Sequence, residues 1–338
     1  MLTAIGGRIQ TATWLQNTFD LIYPTNALHV MVVADGSDDA TAEILRHYPQ
    51  VNVLHYQQRG GKAAALNHAL QHVQTPLVIF TDADALLNKE ALEKLVQHFR
   101  AEKVGGVAGE KKIRAGHSGV GRAEGLYWQY EAVMKRLDAQ FYTVLGAGEL
   151  LAMRTPLYPV LDGAIILDDL FLSMHIGLQG YTVAYEPGAY AIEAPTVSLA
   201  EEGKRKVRIA AGAFQAIEKL SLKQLLHYPK MAFQYLSRRW LRWVVCPIFI
   251  PAVLGLNVLL YANEVAPVYE VLLVLQGFFY ASALVGWGLI KWEKAGAWAT
   301  VPFYFLFMNF CMLKGLFHYL SGRQTALWQK AKKELPFL

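Results

Sequence analysis

Apolar runs and helix-forming segments alternate along the first hundred residues of the chain. Short runs rich in β-branched and large apolar residues predict strands, and the more polar segments between them predict helices. In chain order the pattern predicts strands at 29–34, 51–56 and 76–80 and helices at 38–47, 62–73 and 89–99. Strands that alternate with helices of this length predict a mainly parallel sheet joined by crossovers, so residues 1–200 are expected to form an α/β domain.

The beginning of the chain predicts an incomplete sheet. Residues 1–19 are predicted to form a helix that leads into the strand at 29–34. A parallel sheet built from strand–helix–strand units needs a strand before its first crossover helix. We therefore expect the domain to lack its first strand, the strand at 29–34 to carry an unpaired edge, and residue 1 not to be the natural start of the protein.

The last third of the chain is apolar enough to cross a membrane. Uncharged or nearly uncharged runs occupy 244–262, 271–290 and 299–320, each close to the about 20 residues needed to cross hydrocarbon. The third run carries Asn309, Lys314 and His318, so it either spans the membrane or lies partly in the interface. We expect transmembrane helices within 243–322 and a basic tail at 323–338.

Composition supports a membrane protein. Hydrophobic residues make up 54% of the chain and charged residues 17%, against about 25% charged residues in ordinary soluble domains. The two cysteines, Cys246 and Cys311, both lie in apolar runs. That position excludes a disulfide scaffold and a cysteine-built zinc site, and it suits a reducing compartment.

The net charge of +5 conceals a concentrated basic segment. Between Lys204 and Arg242 the chain has ten Lys and Arg and one acid, Glu218, which gives this segment a net charge of +9. Such a segment is compatible with a nucleic-acid surface. Because the apolar runs follow it directly, we instead expect residues 201–242 to form basic helices at a membrane surface, and no nucleic-acid partner.

The basic residues also predict an orientation in the membrane. The arginines before the run at 244–262 predict that its first end is cytoplasmic, and the gap at 263–270, which has no Lys or Arg, is predicted to lie outside. Lys291 and Lys294 then return to the inside. A third full crossing would place the basic tail outside, against the same rule, and the pattern leaves this conflict open.

Acidic motifs follow two of the predicted strands. Asp35 begins the sequence DGSDD after the strand at 29–34, and Asp82 and Asp84 lie in TDADA after the strand at 76–80. Residues two apart in an extended segment point to the same side, so both carboxylates can face one hard cation such as Mg²⁺ or Mn²⁺. The alternative is that both motifs are ordinary turns. Because ligands bind at the carboxyl ends of strands in such sheets, two acidic motifs there favour a site.

A glycine-rich segment, RGGK at 59–62, precedes the predicted helix at 62–73. It is not a P-loop, because Tyr56 and Ala63 stand where that motif needs Gly and Ser or Thr. One interpretation is a simple helix entry. The other is a turn that offers Lys62 and backbone amides to an anion at a helix N-terminus.

Seven segments in order make the chain resemble the family 2 glycosyltransferases, in particular their membrane-bound, cellulose-synthase-like branch. The segments are VVADGSDDAT (32–41), RGGKAAALN (59–67), TDADA (81–85), EGLYWQYE (124–131), GAGELLAMR (146–154), ILDDLFLSMHIGLQGY (166–181) and KRKVRIAAGAFQAI (204–217). The resemblance implies a GT-A-like fold, a mixed and mainly parallel sheet with flanking helices, followed by membrane helices. It also implies transfer of a sugar from a nucleotide sugar.

The resemblance assigns donor-side roles to several residues. Asp35 would contact the base or ribose of the nucleotide, and Lys62 and Asn67 lie in a segment also linked to nucleotide binding. Asp82 and Asp84 look like the family's DxD element, which holds the diphosphate through a divalent metal, Mg²⁺ or Mn²⁺.

The resemblance also implies residues for the transfer step. Residues 146–148 look like the loop that lines the acceptor site, and Asp168 and Asp169 like the acidic pair whose second member is the catalytic base. Arg205, Lys206 and Arg208 lie where the family carries its QxxRW-type segment, with Ile209 in place of the tryptophan.

Each of these segments has a simpler interpretation as well. The pair Asp168 and Asp169 could cap a helix at 170–178, and the basic residues at 204–208 could bind anionic lipid. Tyr127, Trp128 and Tyr130 could stack on a sugar, although core packing is the expected role for at least two of them. The inverting reaction itself calls for a carboxylate base and for cations at the leaving diphosphate, which Asp169, Asp82 and Asp84 would provide.

The expected function is therefore that of an integral-membrane, metal-dependent, inverting hexosyl- or N-acetylhexosaminyltransferase. We expect it in the inner membrane with its catalytic domain in the cytoplasm, acting on a glycan or lipid-linked acceptor. The alternative is a non-catalytic or truncated membrane subunit with a degenerate transferase domain. A transporter is a poor third interpretation, because two or three spans cannot readily enclose a path.

Overall fold

A computed structural model describes residues 2–5, 8–36, 41–114, 118–220, 222–290 and 296–322. Residues 38–40 of the predicted helix at 38–47, the positions of Lys291 and Lys294 and the basic tail at 323–338 lie outside the described residues. Within them, an eight-stranded mixed sheet is flanked by helices and followed by three long apolar helices.

The sheet has the order β3-β2-β1-β4-β7-β6-β8-β5. Strands β1 to β4 run parallel to one another, β7 is antiparallel to both of its neighbours, and β6 and β8 are parallel. The strands are β1 (Leu2–Ile5), β2 (Val30–Asp35), β3 (Val51–Tyr56), β4 (Leu77–Thr81), β5 (Leu86–Leu87), β6 (Val104–Ile113), β7 (Leu150–Arg154) and β8 (Thr182–Glu193).

The predicted absence of a first strand was wrong. Strand β1 pairs in parallel with β2, from Leu2 opposite Met31 to Ile5 opposite Ala34, and also touches β4. The expected open edge of β2 is therefore covered. Residues 1–19 do not form one helix, because LTAI is a short strand-forming run and two glycines follow it in the sequence, a pattern that interrupts a helix.

Helices pack on the sheet much as the pattern predicts. They are α1 (Arg8–Phe19), α2 (Thr41–Arg46), α3 (Lys62–Leu70), α4 (Ala91–Val96), α5 (Gly119–Phe141), α6 (Asp168–Leu178), α7 (Leu199–Lys219), α8 (Leu222–Leu226) and α9 (Pro229–Gln234). The largest apolar cluster joins α3 and α6 to β2, β4, β6 and β7, and a second packs α4 under β4 and β8. Burial on both faces of the sheet explains why its strands are continuous apolar runs.

The three apolar helices are long enough to span a membrane. Helices α10 (Cys246–Ala262), α11 (Val268–Ile290) and α12 (Ala297–Leu320) match the predicted spans closely. A π-helical segment, Tyr235–Val245, joins α9 to α10, so that Pro229–Ala262 is one helix of 34 residues. The protein is therefore a membrane protein, with its first span extending well beyond the about 20 residues that cross hydrocarbon.

The first membrane helix is fixed to the α/β domain by buried charges. Arg238 lies 2.8 Å from Glu131 of α5 and also pairs with Asp138, and Arg242 pairs with Glu131. Burial works against the charge of Glu131, but these arginines hold its pKa well below the usual range. Part of the basic segment that the sequence places at the membrane surface is thus neutralised inside the protein.

Candidate active site

A cavity of about 1580 Å³ lies at the edge of the sheet where β2 and β4 end, between the sheet, α5, α7 and α12. Because β7 runs antiparallel to β4, the residue that precedes β7 lies at the same edge as those that follow β4. Eight of the ten predicted site residues line the cavity: Lys62, Asp82, Asp84, Asp168, Asp169, Arg205, Lys206 and Arg208. Asp35 and Asn67 lie outside its lining.

Asp35 holds the glycine-rich loop in place. Its Oδ1 accepts a hydrogen bond from the backbone N–H of Gly60 at 2.8 Å, and its Oδ2 accepts one from Gly61 at 2.9 Å. Gly61 has a φ of +87°, a conformation that favours glycine. The loop therefore enters α3 with Lys62 directed at the cavity.

Asn67 also has a local structural contact. Its side-chain oxygen accepts hydrogen bonds from the hydroxyl of Tyr158 and from the N–H of Leu161, each at 2.9 Å, and its amide donates to the carbonyl of Leu161. These bonds fix the segment that precedes Asp168. The contact with the nucleotide that the resemblance implies stays a prediction for this residue.

Lys62 connects two acidic motifs that are far apart in sequence. Its Nζ lies 2.9 Å from Asp82 and 3.1 Å from Asp168. Burial opposes the positive charge, but Asp168 and Asp82 together raise the pKa of Lys62 well above its usual value. Burial in turn raises the pKa of Asp82 to about 6, although Lys62 opposes this shift. The arrangement concentrates one ammonium and two carboxylates at one point.

Three carboxylates meet at the inner end of the cavity. One oxygen each of Asp82, Glu149 and Glu193 lies within 4.8 Å of the others, and Asp84 lines the cavity outside this group. Lys111 forms ion pairs with Glu149 and Glu193. The buried Oε2 of Glu149 has no hydrogen-bond partner among the described residues. Three carboxylates, one of which has a buried oxygen without a hydrogen-bond partner, suit a hard divalent cation.

Glu149, Glu193 and Lys111 were not predicted from the sequence. Glu149 lies inside GAGEL, where the two glycines drew attention to the loop, and Glu193 ends a strand 111 positions after Asp82. Pairing between strands places these residues beside Asp82: β7 pairs with β4, and β8 pairs with β5, which follows Asp82, and with β6, which carries Lys111. A carboxylate at the end of the apolar run AYAIE (189–193), for which no strand was predicted, was the available signal for Glu193.

Asp169 lies against the loop at 146–148. Its Oδ2 accepts a hydrogen bond of 2.8 Å from the N–H of Gly148. Asp168 and Asp169 are the first two residues of α6, and the preceding Leu167 makes no side-chain cap. The alternative that the pair caps the helix is therefore wrong. Both carboxylates lie in the first turn of α6, at the positive end of its dipole.

The same loop is held from the membrane side and from α5. Gly146 has a φ of +78°, and a Cβ there would lie 2.6 Å from Nη2 of Arg239, which donates to the carbonyl of Leu145. Lys135 donates to the carbonyl of Ala147 at 2.5 Å. Glycine at position 146 thus lets an arginine of the π-helical segment reach the loop that contacts Asp169.

The three predicted cations of α7 have different surroundings. Arg205 lies 2.6 Å from Glu124 and 3.0 Å from Glu202, both buried, and Lys206 lies 3.6 Å from Glu202. Tyr304 of α12 also donates to Glu202 at 2.8 Å. Arg205 therefore connects α7 to α5, Glu202 connects α7 to α12, and the ion pair of Lys206 lies within α7.

Arg208 is the basic residue of this segment that faces the acidic site. Burial lowers its pKa, and the nearby carboxylates of Asp168 and Asp82 oppose that shift. Its buried Nε has no hydrogen-bond partner among the described residues. A partly desolvated guanidinium beside two carboxylates is suited to bind an anionic ligand.

Two aromatic residues of α5 form the wall next to this region. The Nζ of Lys206 lies 4.0 Å from the ring centre of Tyr127, and that of Lys111 lies 4.6 Å from the ring centre of Trp128. Both rings line the cavity, as does Tyr130, which is half exposed. The wall is thus mixed, with aromatic surface and cations side by side.

Comparison with known proteins identifies similar sequences. Residues 12–146 match the family model described as Glycosyl transferase family 2. The poly-beta-1,6-N-acetyl-D-glucosamine synthase of Staphylococcus aureus (strain COL) is 26% identical over 240 residues, which are 67% of this chain and 58% of that protein. The synthase of Staphylococcus epidermidis is 26% identical over 248 residues, 69% and 59% respectively. The chain thus spans less than two thirds of these curated relatives.

A solved structure shares the fold. Mannosyltransferase PcManGT from Pyrobaculum calidifontis, in complex with GDP-Man and Mn²⁺, superimposes with a TM-score of 0.70 and 21% sequence identity. The match covers 96% of this chain and 87% of that chain. The prediction of a GT-A-like domain followed by membrane helices is therefore confirmed.

Proposed function

We propose that this chain, which belongs to the family 2 glycosyltransferases, catalyses inverting transfer of a sugar from a nucleoside-diphosphate sugar to a glycan or lipid-linked acceptor. The observation that carries the proposal is the convergence of Lys62, Asp82, Asp168 and Arg208 in one cavity that Asp169 also lines. These groups come from separate segments, and neither a turn nor a helix cap explains why they lie together.

The donor would bind at the cationic and acidic end of this cavity. Lys62 and Arg208 are suited to hold the two phosphates, since both are cations at the same pair of carboxylates. Asp82, with Glu149 and Glu193, would hold Mg²⁺ or Mn²⁺, and Asp84 would support that site from the same loop. The bound metal would supply positive charge to the leaving diphosphate.

The transfer step would use Asp169 as general base. The hydrogen bond from Gly148 fixes the orientation of its carboxylate. An acceptor hydroxyl beside the loop at 146–148 would pass its proton to Asp169 while its oxygen attacks the anomeric carbon. Asp168, paired with Lys62, would orient the cation that faces the donor.

The acceptor would reach this site at the membrane surface. Residues of α12, among them Phe307 and Met308, line the same cavity as Asp82 and Asp169. We infer that the catalytic domain faces the cytoplasm at the inner membrane, where nucleotide sugars are made. Both a lipid-linked sugar and a growing glycan fit an opening beside membrane helices.

The direct test is turnover by the full chain in lipid nanodiscs. Nucleoside-diphosphate derivatives of N-acetylglucosamine and of mannose would be supplied with Mn²⁺, with Mg²⁺ or with EDTA, and release of nucleoside diphosphate measured. We expect metal-dependent release with one donor and an acceptor, and none in Asp169→Asn. Donor binding without turnover for every acceptor would instead support the non-catalytic subunit.

A further inference from the structure

Helix α5 has its polar and apolar faces reversed relative to an ordinary surface helix. Its three acidic residues, Glu124, Glu131 and Asp138, are buried. Its exposed face carries five large apolar or aromatic side chains, namely Leu126, Tyr130, Val133, Leu137 and Phe141. These recur at intervals of three and four residues, so they form one continuous stripe along the helix. A stripe of this size on a catalytic domain indicates an interaction surface.

The buried acids cannot be rotated outward to hide the stripe. Glu131 pairs with Arg238 and Arg242, Asp138 pairs with Arg238, and Glu124 pairs with Arg205. Breaking such buried pairs costs about 3–5 kcal/mol each. The orientation of α5 is therefore fixed by its ion pairs, and the apolar stripe faces outward as a consequence.

Both ends and the centre of α5 contact the membrane helices near one membrane face. A Cβ at Gly119 would lie 2.3 Å from the carbonyl oxygen of Ile290, the last residue of α11. The ring of Phe141 lies 5.5 Å from that of Phe233 in α9. In between, Glu131 pairs with Arg242, four positions before α10 begins. Because α10 begins and α11 ends on the same side of the membrane, α5 runs along that membrane face.

The charge of the outward face points to the type of surface that it meets. Arg122 and Arg136 are exposed on α5, and every acidic residue of the helix is buried. A helix with an apolar stripe, aromatic residues and flanking arginines is typical of one lying in the headgroup region of an anionic bilayer.

We propose that α5 is an interfacial helix whose exposed stripe, Leu126 to Phe141, inserts into the headgroup region of an anionic lipid bilayer. The stripe continues through Phe233 and Leu236 into the exposed apolar surface of α10. The occupant is therefore the same bilayer that surrounds the membrane helices. The proposal does not depend on which sugar is transferred.

The test uses single fluorescent labels on the full chain in nanodiscs. After replacement of Cys246 and Cys311 by alanine, a cysteine is introduced at Val133, at Leu137 or at Glu102 and coupled to an environment-sensitive dye. Val133 and Leu137 are about half exposed. Glu102 is an exposed control that lies outside α5, in the segment before β6.

Lipids that carry a quencher near the headgroup should distinguish the positions. We expect quenching at Val133 and Leu137 to exceed that at Glu102 at least about twofold, because an interfacial helix inserts by about 5–10 Å. Equal quenching at all three sites would overturn the proposal. A blue-shifted but unquenched label would overturn it as well, because it would mean that protein covers the stripe.

The lipid composition tests the anionic preference. Quenching at Leu137 should be stronger in nanodiscs that contain phosphatidylglycerol than in purely zwitterionic ones, and Arg136→Gln should reduce the difference. Equal quenching in both lipids would overturn the preference for anionic headgroups. The thermal midpoint of each labelled protein, compared with that of the unlabelled chain, verifies that the fold is retained.

Discussion

The ammonium of Lys62 lies 2.9 Å from the carboxylate of Asp82, the residue that the proposed metal site shares with Glu149 and Glu193. In the protein without ligand, a fixed cation therefore already occupies one side of this carboxylate. A divalent metal that binds Asp82 must compete with Lys62 for this carboxylate or bind beside it. A diphosphate that binds Lys62 must likewise compete with Asp82 for the ammonium. The pair thus couples the two halves of the proposed donor site.

Replacing Lys62 should affect metal and donor in opposite directions. In Lys62→Met the affinity of the free protein for Mn²⁺ should rise about tenfold, because a charged hydrogen bond of about 1.5–3 kcal/mol no longer competes. Donor affinity should fall by a similar factor. Calorimetry at pH 8.5, where protons do not compete for Asp82, measures both. Lys112→Met, an exposed lysine on β6, is the matched control, and parallel changes in both affinities would contradict the coupling.

Metal binding should weaken as the pH falls through about 6. The pKa of Asp82 is raised from 3.8 to about 6, so this carboxylate takes up a proton below that pH and loses the charge that a cation needs. Mn²⁺ affinity should therefore fall about tenfold between pH 7.5 and pH 5. Titrations across this range measure the effect. In Asp82→Asn the remaining affinity should vary less, and an equally steep profile there would assign the titration to another group.

The two neighbouring acids at the start of α6 should separate in their kinetics. Asp169→Asn should lower kcat by about 10²–10⁴ with donor affinity nearly unchanged, because a general base acts on the acceptor in the transition state. Asp168→Asn should mainly weaken donor binding, since Asp168 orients Lys62 at 3.1 Å. Steady-state kinetics and donor titration of both variants test this. The reverse pattern would exchange the two assignments.

Arg205 and Arg208 should differ in what they support. Arg205→Gln should lower the free energy of unfolding by about 3–5 kcal/mol, because it leaves Glu124 and Glu202 buried with less charge compensation. Arg208→Gln should leave stability nearly unchanged and weaken donor binding about 10–100-fold. Thermal unfolding in nanodiscs and donor titration measure the two effects. Loss of stability in Arg208→Gln would refute its assignment to the donor.

The orientation in the membrane can be read from reporters fused to the chain. A reporter inserted after Asn263, between α10 and α11, should report the outer side, and one after Gly296 should report the cytoplasm. Inner-membrane vesicles of known sidedness provide the control. The opposite pattern would place the cavity outside and remove its access to cytoplasmic nucleotide sugars.

The local sequence pattern was sufficient to predict most of the helices and strands and part of the site. The strands at β2, β3 and β4 and the three membrane helices lie within a few residues of their predicted bounds, because apolar periodicity is strong there. Asp82 was visible because it follows a predicted strand, whereas Asp169 was identified through the resemblance of its segment to the family. Strand β1 was missed because four residues carry too little periodicity to distinguish a strand from the first turn of a helix.

Contacts between distant segments were not visible in the sequence. Glu193 lies beside Asp82 because β8 pairs with β5, the short strand that directly follows the TDADA motif, as well as with β6. Arg205 resembles Arg208 in sequence and also lines the cavity, and only its buried partners Glu124 and Glu202 show that ion pairs inside the protein hold it. Such distinctions depend on tertiary contacts, which composition and spacing do not encode.

The ion pairs between α5 and the π-helical segment have a consequence for how the chain folds. Tyr235 and Trp243 share one apolar cluster with Leu145 and Leu170 of the catalytic domain. A polypeptide cut before Pro229 would expose that cluster and leave Glu131 without its two arginines. The α/β domain and the start of the first membrane helix are therefore one cooperative unit, so the α/β domain is not an independent, water-soluble module.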